Sequence, residues 1–288
     1  MSRSVTLVPI IAAIQAANEL LGPNRIWTPS NDLQNIFIPD YYIPFQDKID
    51  LIRDMIKTKA SWDSEELNAF LQENNSALRF DPFGPPYFGM ATILDFLVNW
   101  LREGKEIEVV TDDNNKYPGA RIDGPGVEFF TTPGHTNPIV KLYTKSEKDF
   151  VYFTVISQPP EGFELAKKAK ELIRNKSAMR DYGAVVFPKV DFKEDVDISW
   201  LVDLSTYADD GNPCKIIKAL QQTKLKMNEK GARLRSDVAI TGLKRCGDFR
   251  PDYIIKEPFL VIFKREGFEL PLSVIYVTEE HWKDPGTL

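Results

Sequence analysis

The chain has 288 residues, 43% of them hydrophobic and 27% charged, with a net charge of −6. That is enough length and apolar content to bury a large core, and the acidic balance argues against a nucleic-acid binder. No apolar run approaches the ~20 residues that cross a bilayer, and two cysteines are too few for a disulfide framework. His135 and His281 are the only histidines, which leaves little room for a His-based metal site or a His-containing catalytic triad.

In chain order, residues 5–21 have helical periodicity through Val8, Ile11, Ile14, Ala17 and Leu21, and Gly22-Pro23 ends it. Gln15, Asn18 and Glu19 interrupt the apolar stretch, so the segment reads as an amphipathic helix rather than a signal peptide. Residues 24–30 read as a short strand and turn. Ser30 or Asn31 can cap a helix to about Ile36, and further helical patterns cover 47–58 and 64–73, with Ser61 or Asp63 as caps. The breaker Asp81-Pro82-Phe83-Gly84-Pro85-Pro86 follows. Residues 90–101 are apolar, and periodicity alone assigns them to neither strand nor helix. Residues 105–145 are strand-rich, 150–156 is a buried strand, and 163–176 is an amphipathic helix with a Lys/Arg face. A strand over 183–192 is broken at Pro188-Lys189, and 197–207 reads as a short helix. The closing strands, 258–265 and 270–277, form a hairpin-like pair through Glu266-Gly267-Phe268-Glu269. Strands and helices mix without regular βα alternation, which favours an α+β class. No repeat or low-complexity linker divides the chain, so a single domain over 1–288 is expected.

No phosphate loop, zinc-ligand spacing or nucleophile elbow occurs, and nothing supports an enzyme, a metal or a cofactor. Asp209-Asp210-Gly211-Asn212 lacks the alternating acids and distal Glu of a calcium loop and reads as a turn. The triplets Asn74-Asn75-Ser76 and Asn175-Lys176-Ser177 permit glycosylation if the chain is secreted, and the compartment stays open between cytoplasmic and secreted.

The informative stretch is Thr223–Phe263. An alternating strand runs into Asn228-Glu229-Lys230-Gly231, a long mixed segment carries the dibasic pair Lys244-Arg245, and the chain returns through Glu257-Pro258-Phe259-Leu260. Long connections between good strands tend to be functional. Between Lys215 and Arg250 the local charge is +7, which leaves −13 on the remainder; it reads as a lure for an acidic partner or as a solvated basic face. Every second residue from Ala232 (Leu234, Ser236, Val238, Ile240, Gly242) is small or apolar, the period-2 pattern of a strand with one buried face.

The order of these elements resembles the serpin family. Asn228-Glu229-Lys230-Gly231 resembles the family's Asn-Glu-x-Gly signature at the base of the reactive loop. Residues 257–263 resemble its return strand, Trp282-Lys283-Asp284-Pro285 its terminal turn, residues 150–160 the strand leading into a Pro, and residues 185–192 the Leu-Pro-Lys-Phe strand. Asn24–Ser30 resembles the early Asn-Ile-x-x-Ser-Pro-x-Ser motif, with Thr28 replacing Ser. The match is good over 148–288, fair over 5–37 and weak over 38–147.

The resemblance implies a large mixed β-sheet with smaller sheets and flanking helices, trimmed in the first half between about 38 and 90. It implies a reactive loop over about 231–257 with a hinge at Glu229, Gly231, Ala232, Leu234 and Ser236. In the family's scheme the scissile residue follows the hinge Gly by fourteen positions, which falls on Arg245, with Cys246 after the cut and Leu243 and Lys244 before it. A monomeric inhibitor of a trypsin-like serine protease is therefore implied. The alternative is a non-inhibitory binding protein, because Arg233 and Leu234 stand where inhibitors usually carry small residues. Glycan binding by the basic 163–180 segment ranks below a solvated face, and Cys246 as a reactive thiol ranks below a tolerated small residue.

Overall fold

The continuous apolar segments of the second half become the interior of a seven-stranded antiparallel sheet in the computed structural model, which describes residues 4–23, 25–234 and 250–288. Its strands run in the order Ser4–Val5, Ser273–Val277, Phe259–Arg265, Asp149–Val155, His135–Tyr143, Val127–Thr132 and Ser177–Met179. Phe259–Arg265 and Asp149–Val155 are central strands buried along most of their length, which is why they read as near-unbroken hydrophobic runs. Their register sets Arg265 opposite Asp149, and the buried guanidinium grips that carboxylate at 2.8 and 3.0 Å.

The chain divides into two units, and this sheet belongs to the first: residues 1–5, 96–194 and 223–288. The same unit holds a second sheet of four strands, in the order Asp252–Ile254, Ala184–Pro188, Lys116–Asp123, Lys105–Val110. It also holds most of a third, in the order Val190–Val196, Gln221–Met227, Gly231–Leu234, Phe96–Asn99. The core lies between the first and third sheets. Phe96 meets Phe263 edge to face at 5.6 Å between ring centres, and Trp100 meets both Phe153 and Phe187. Leu225 and Met227 complete it without exposure. Helix Gly162–Arg174 packs on the first sheet through Leu165, Ala166, Ala169, Leu172 and Ile173, the spacing of one helical face.

Lys264 is the costly residue of the first sheet. It faces away from its buried neighbours Phe263 and Arg265, yet burial still pushes its ammonium down to about 8, with Lys170 adding repulsion. The unfolded chain holds that proton to a pKa of about 10.4. Between those values the unfolded state binds more protons, so this site makes stability rise with pH there. Lys264→Met is expected to raise thermal stability at pH 7 and to flatten the pH dependence between about 8 and 10.4, as calorimetry across that range would record.

The second unit comprises residues 6–95 and 195–222. Helix Val8–Leu21 buries Val8, Ile11, Ile14, Ala17 and Leu21, as the periodicity requires, and Gly22 ends it at φ 114 by donating to the Asn18 carbonyl. Helix Asp32–Phe37 is capped by Asn31, whose side chain accepts from the Gln34 amide at 3.0 Å. Gln34 itself has no exposure and is satisfied on both sides, accepting from Ser30 and donating to the Trp200 and Val202 carbonyls. Asp63 caps helix Ser64–Glu73. Leu67 and Leu71 of that helix pack with Ala91 and the rings of Phe70, Phe80 and Phe83.

Three local expectations change here. Residues 47–58 are not one helix: a 3-10 turn, Gln46–Ile52, leads into strand Ile56–Ser61, which pairs with Gly89–Leu94. A partner strand whose residues lie 28 (Ser61 to Gly89) to 38 (Ile56 to Leu94) positions away overrides the helical pattern. Residues 197–207 give only a short 3-10 turn, Ser199–Leu201, and strand Ser205–Tyr207, which pairs with Pro213–Lys215. Within residues 25–30 the short strand read from sequence is reduced to a single bridge, Thr28 to Ser205. Asp209–Asn212 is a turn, with Asp210 accepting from Asn212 and Asp209 paired to Arg25 at 2.6 Å.

Candidate functional site

The Asn-Glu-Lys-Gly segment is a tight reversal that turns one strand of the third sheet into the next. Asn228 closes it twice: its amide donates to the Gly231 carbonyl at 2.9 Å, and its side-chain oxygen accepts from the Lys230 amide at 2.9 Å. This local bonding is what Asn offers a turn. After the turn, Gly231–Leu234 runs antiparallel between two neighbours. Gly231 to Leu234 face Asn99 to Phe96 on one side, and Ala232 and Arg233 face Met227 and Lys226 on the other. Ala232 points into the core with no exposure. A Cβ on Gly231 would lie 2.2 Å from the Val98 carbonyl oxygen, so close backbone approach admits only glycine there.

Trp100 fastens the turn from below. Its amide donates to the Lys230 carbonyl at 3.0 Å and its indole N–H to the Asn228 carbonyl at 2.9 Å, while the Gly104 amide donates to the Glu229 carbonyl. Trp100 was not singled out in the sequence. The only available signal was an aromatic residue closing an apolar run.

Glu229 points the other way, into an electrostatic node. It is buried, and its Oε2 sits 3.0 Å from the Nζ of buried Lys189. That oxygen receives no well-directed hydrogen bond, so the contact is held by charge more than by geometry. Lys189 Nζ also donates to Glu106 at 2.8 Å and Asp284 at 3.0 Å. Burial alone would depress the ammonium, but the three carboxylates outweigh it and hold its pKa above the ordinary lysine value. Asp284 is held below the usual carboxylate range, first by the Gly286 amide and then by Lys189.

Where the described chain resumes, Asp252–Ile254 pairs in parallel with Ala184–Val186 at the edge of the second sheet. Arg121, on the Lys116–Asp123 strand beyond Ala184–Pro188, grips Asp252 with two nitrogens at 2.7 and 2.9 Å. Its remaining nitrogen bonds Asp123, which Arg102 approaches on the other side at 3.2 Å. Tyr253 packs on Tyr182 and Phe129.

Of the residues named from sequence, Glu229, Gly231 and Ala232 lie together in this turn and the strand that follows it, and the backbone of Leu234 lies opposite Phe96. Ser236, Leu243, Lys244, Arg245 and Cys246 fall outside the described residues. Cys214 lies on the Pro213–Lys215 strand of the second unit, where burial pushes its thiol up.

No family model matches this sequence, and no curated protein matches it. Solved structures do match. Thyroxine-binding globulin in complex with thyroxine superposes with a TM-score of 0.58 at 12% identity, covering 95% of this chain and 91% of that one. Mouse protein-Z dependent protease inhibitor gives 0.52 at 13% identity, covering 95% and 90%. The fold is therefore an α+β, serpin-like fold.

Proposed function

We propose that the protein is a pseudo-substrate trap for a serine protease of trypsin-like specificity. One observation carries this reading: the third sheet already takes Gly231–Leu234 between two of its strands, with Ala232 inside the core. A sheet that admits the start of the loop supports continued insertion once the loop is cut. That one structural neighbour is, by its name, a protease inhibitor is consistent with it. Arg245 supplies the cation for the acidic specificity pocket of a trypsin-like enzyme. The protease serine oxygen bonds to the Arg245 carbonyl carbon, the Arg245–Cys246 peptide bond breaks, and the released Cys246 amine takes a proton. Insertion beginning at the hinge then carries the acyl-enzyme away from productive deacylation.

The composition of the hinge favours a second reading, a serpin-fold binding protein. Arg233 and Leu234 are large where insertion is fastest with small side chains, and the other neighbour is named for the thyroxine it binds. Mixing the protein with trypsin separates the two. The expected result is a covalent adduct stable on a denaturing gel, together with a large rise in melting temperature of the protein cut after Arg245. Complete turnover to a cut fragment with no adduct and no thermal gain would leave only the second reading.

A further inference from the structure

We propose that the second unit holds a binding site for a small phenol, a single aromatic ring with one hydroxyl; the site is independent of the trap reading above. A hollow of about 120 Å³ opens between residues 80–90 and residues 216–218, both within that unit. Phe80, Phe83, Phe88 and Met90 form one wall, and Ile216 and Ile217 form the other. Phe80 and Phe83 meet edge to face at 6.0 Å between ring centres. An engineered apolar cavity of about 150 Å³ takes up benzene. The volume therefore sets the class of guest: one ring fills the hollow, and a fused polycyclic body does not fit.

The walls are fixed by bonds that need no guest. Asn68, on helix Ser64–Glu73, donates to the Phe80 carbonyl at 3.0 Å and accepts from the Phe80 amide at 2.8 Å. The Ser64 hydroxyl treats Phe83 the same way, accepting from its amide at 3.0 Å and donating to its carbonyl at 3.1 Å. On the opposite wall the Ile216 amide donates to the Leu204 carbonyl, and the Ile216 carbonyl accepts from the Asp203 amide. A Cβ on Gly89 would lie 2.7 Å from the Phe83 ring, so glycine there leaves that ring its place in the wall. A preformed hollow of this kind orders little when a guest enters.

The rim supplies one acceptor and one donor. Asp81 Oδ2 accepts from Lys218 Nζ at 2.6 Å, which links one wall to the other across the mouth, and both side chains are exposed. Among the described residues, the second Asp81 oxygen and the remaining Lys218 protons make no other bond. A hydroxyl both donates and accepts, so a phenol seated in the hollow meets Asp81 and Lys218 together without breaking their pair. A carboxylate on the same ring is repelled by Asp81, and an ammonium by Lys218.

The test follows 4-fluorophenol by fluorine NMR against the full chain. Saturable binding with a Kd at or below about 1 mM is expected. Fluorobenzene is expected to bind about tenfold more weakly for want of the hydroxyl, and 4-fluorobenzoate more weakly than the phenol. Ile217→Trp, at a half-exposed position of the wall, is expected to fill the hollow and remove binding. Lys218→Met and Asp81→Asn are each expected to weaken the phenol about threefold to tenfold and to leave fluorobenzene unchanged. Melting temperatures establish that each variant folds; if Ile217→Trp does not, the two rim variants locate the site, since both positions are exposed. No saturable binding up to about 10 mM, or full binding by folded Ile217→Trp, would overturn the site. Equal affinity for 4-fluorophenol and fluorobenzene, tighter binding of the benzoate, or a phenol affinity that neither rim variant alters would overturn the assignment to a phenol.

Discussion

Ala232→Asp is expected, on the proposed pseudo-substrate reading, to abolish trapping while leaving cleavage after Arg245 intact. Ala232 has no solvent exposure and sits between the Gln221–Met227 and Phe96–Asn99 strands, beside Met227 and Val98. A carboxylate in that buried position must either desolvate, at a cost of several kcal/mol, or drag the Gly231–Leu234 strand out of the sheet. Leaving the sheet is the cheaper response, because the strand is only four residues long. In a trypsin assay this variant should be cut after Arg245 at the parental rate, yield no covalent adduct, and gain no heat stability on cleavage. Ala232→Ser, which adds one small hydroxyl, should keep much of the adduct. Equal adduct yields from the parent and the Asp variant would exclude hinge insertion as the trapping step.

Lys189→Met should be the most damaging single substitution outside the hydrophobic core. It removes the one cation shared by Glu106, Glu229 and Asp284. The two exposed carboxylates can turn to water, but Glu229 is buried and fixed by the turn behind it. Breaking a buried pair by deleting one partner costs about 3–5 kcal/mol, and a urea midpoint measurement would detect it. Glu229→Gln should cost less, since Lys189 keeps two carboxylates. The pH dependence has a definite sign. Lys189 is raised in the folded state, so its contribution is complete at neutral pH and is lost only on the alkaline side, above the ordinary lysine value. Asp284 is lowered, so its contribution is present at neutral pH and is lost as pH falls through the acid range. Acid titration of the parent should therefore show a loss of stability below about pH 4 that is shallower in Lys189→Met.

Much of this architecture was legible residue by residue. Phe259–Arg265 and Asp149–Val155 declared themselves because burial on both faces demands unbroken apolar runs. The helices at Val8–Leu21 and Gly162–Arg174 carried their own periodicity, and the Asn228–Gly231 turn carried its own chemistry. What stayed hidden depends on distant partners. Strand Ile56–Ser61 looks helical until Gly89–Leu94 is beside it. Trp100 reaches a carbonyl 128 positions away, and Lys189 finds carboxylates 83 and 95 positions away on either side.

The sequence by itself therefore determined the α+β class, the two-sided burial of the central strands, and a turn whose Gly231 precedes an alternating small-and-apolar run. Local propensity, period and turn chemistry are properties of neighbouring residues, so they survive without a fold. Only the tertiary structure decided that the run begins as a strand between two others, that Glu229 is locked to Lys189, and that Arg121 holds the returning end at Asp252. Each of those depends on which chain segments meet across the core, and on the desolvation that makes a charge pair or a missing Cβ matter once they do.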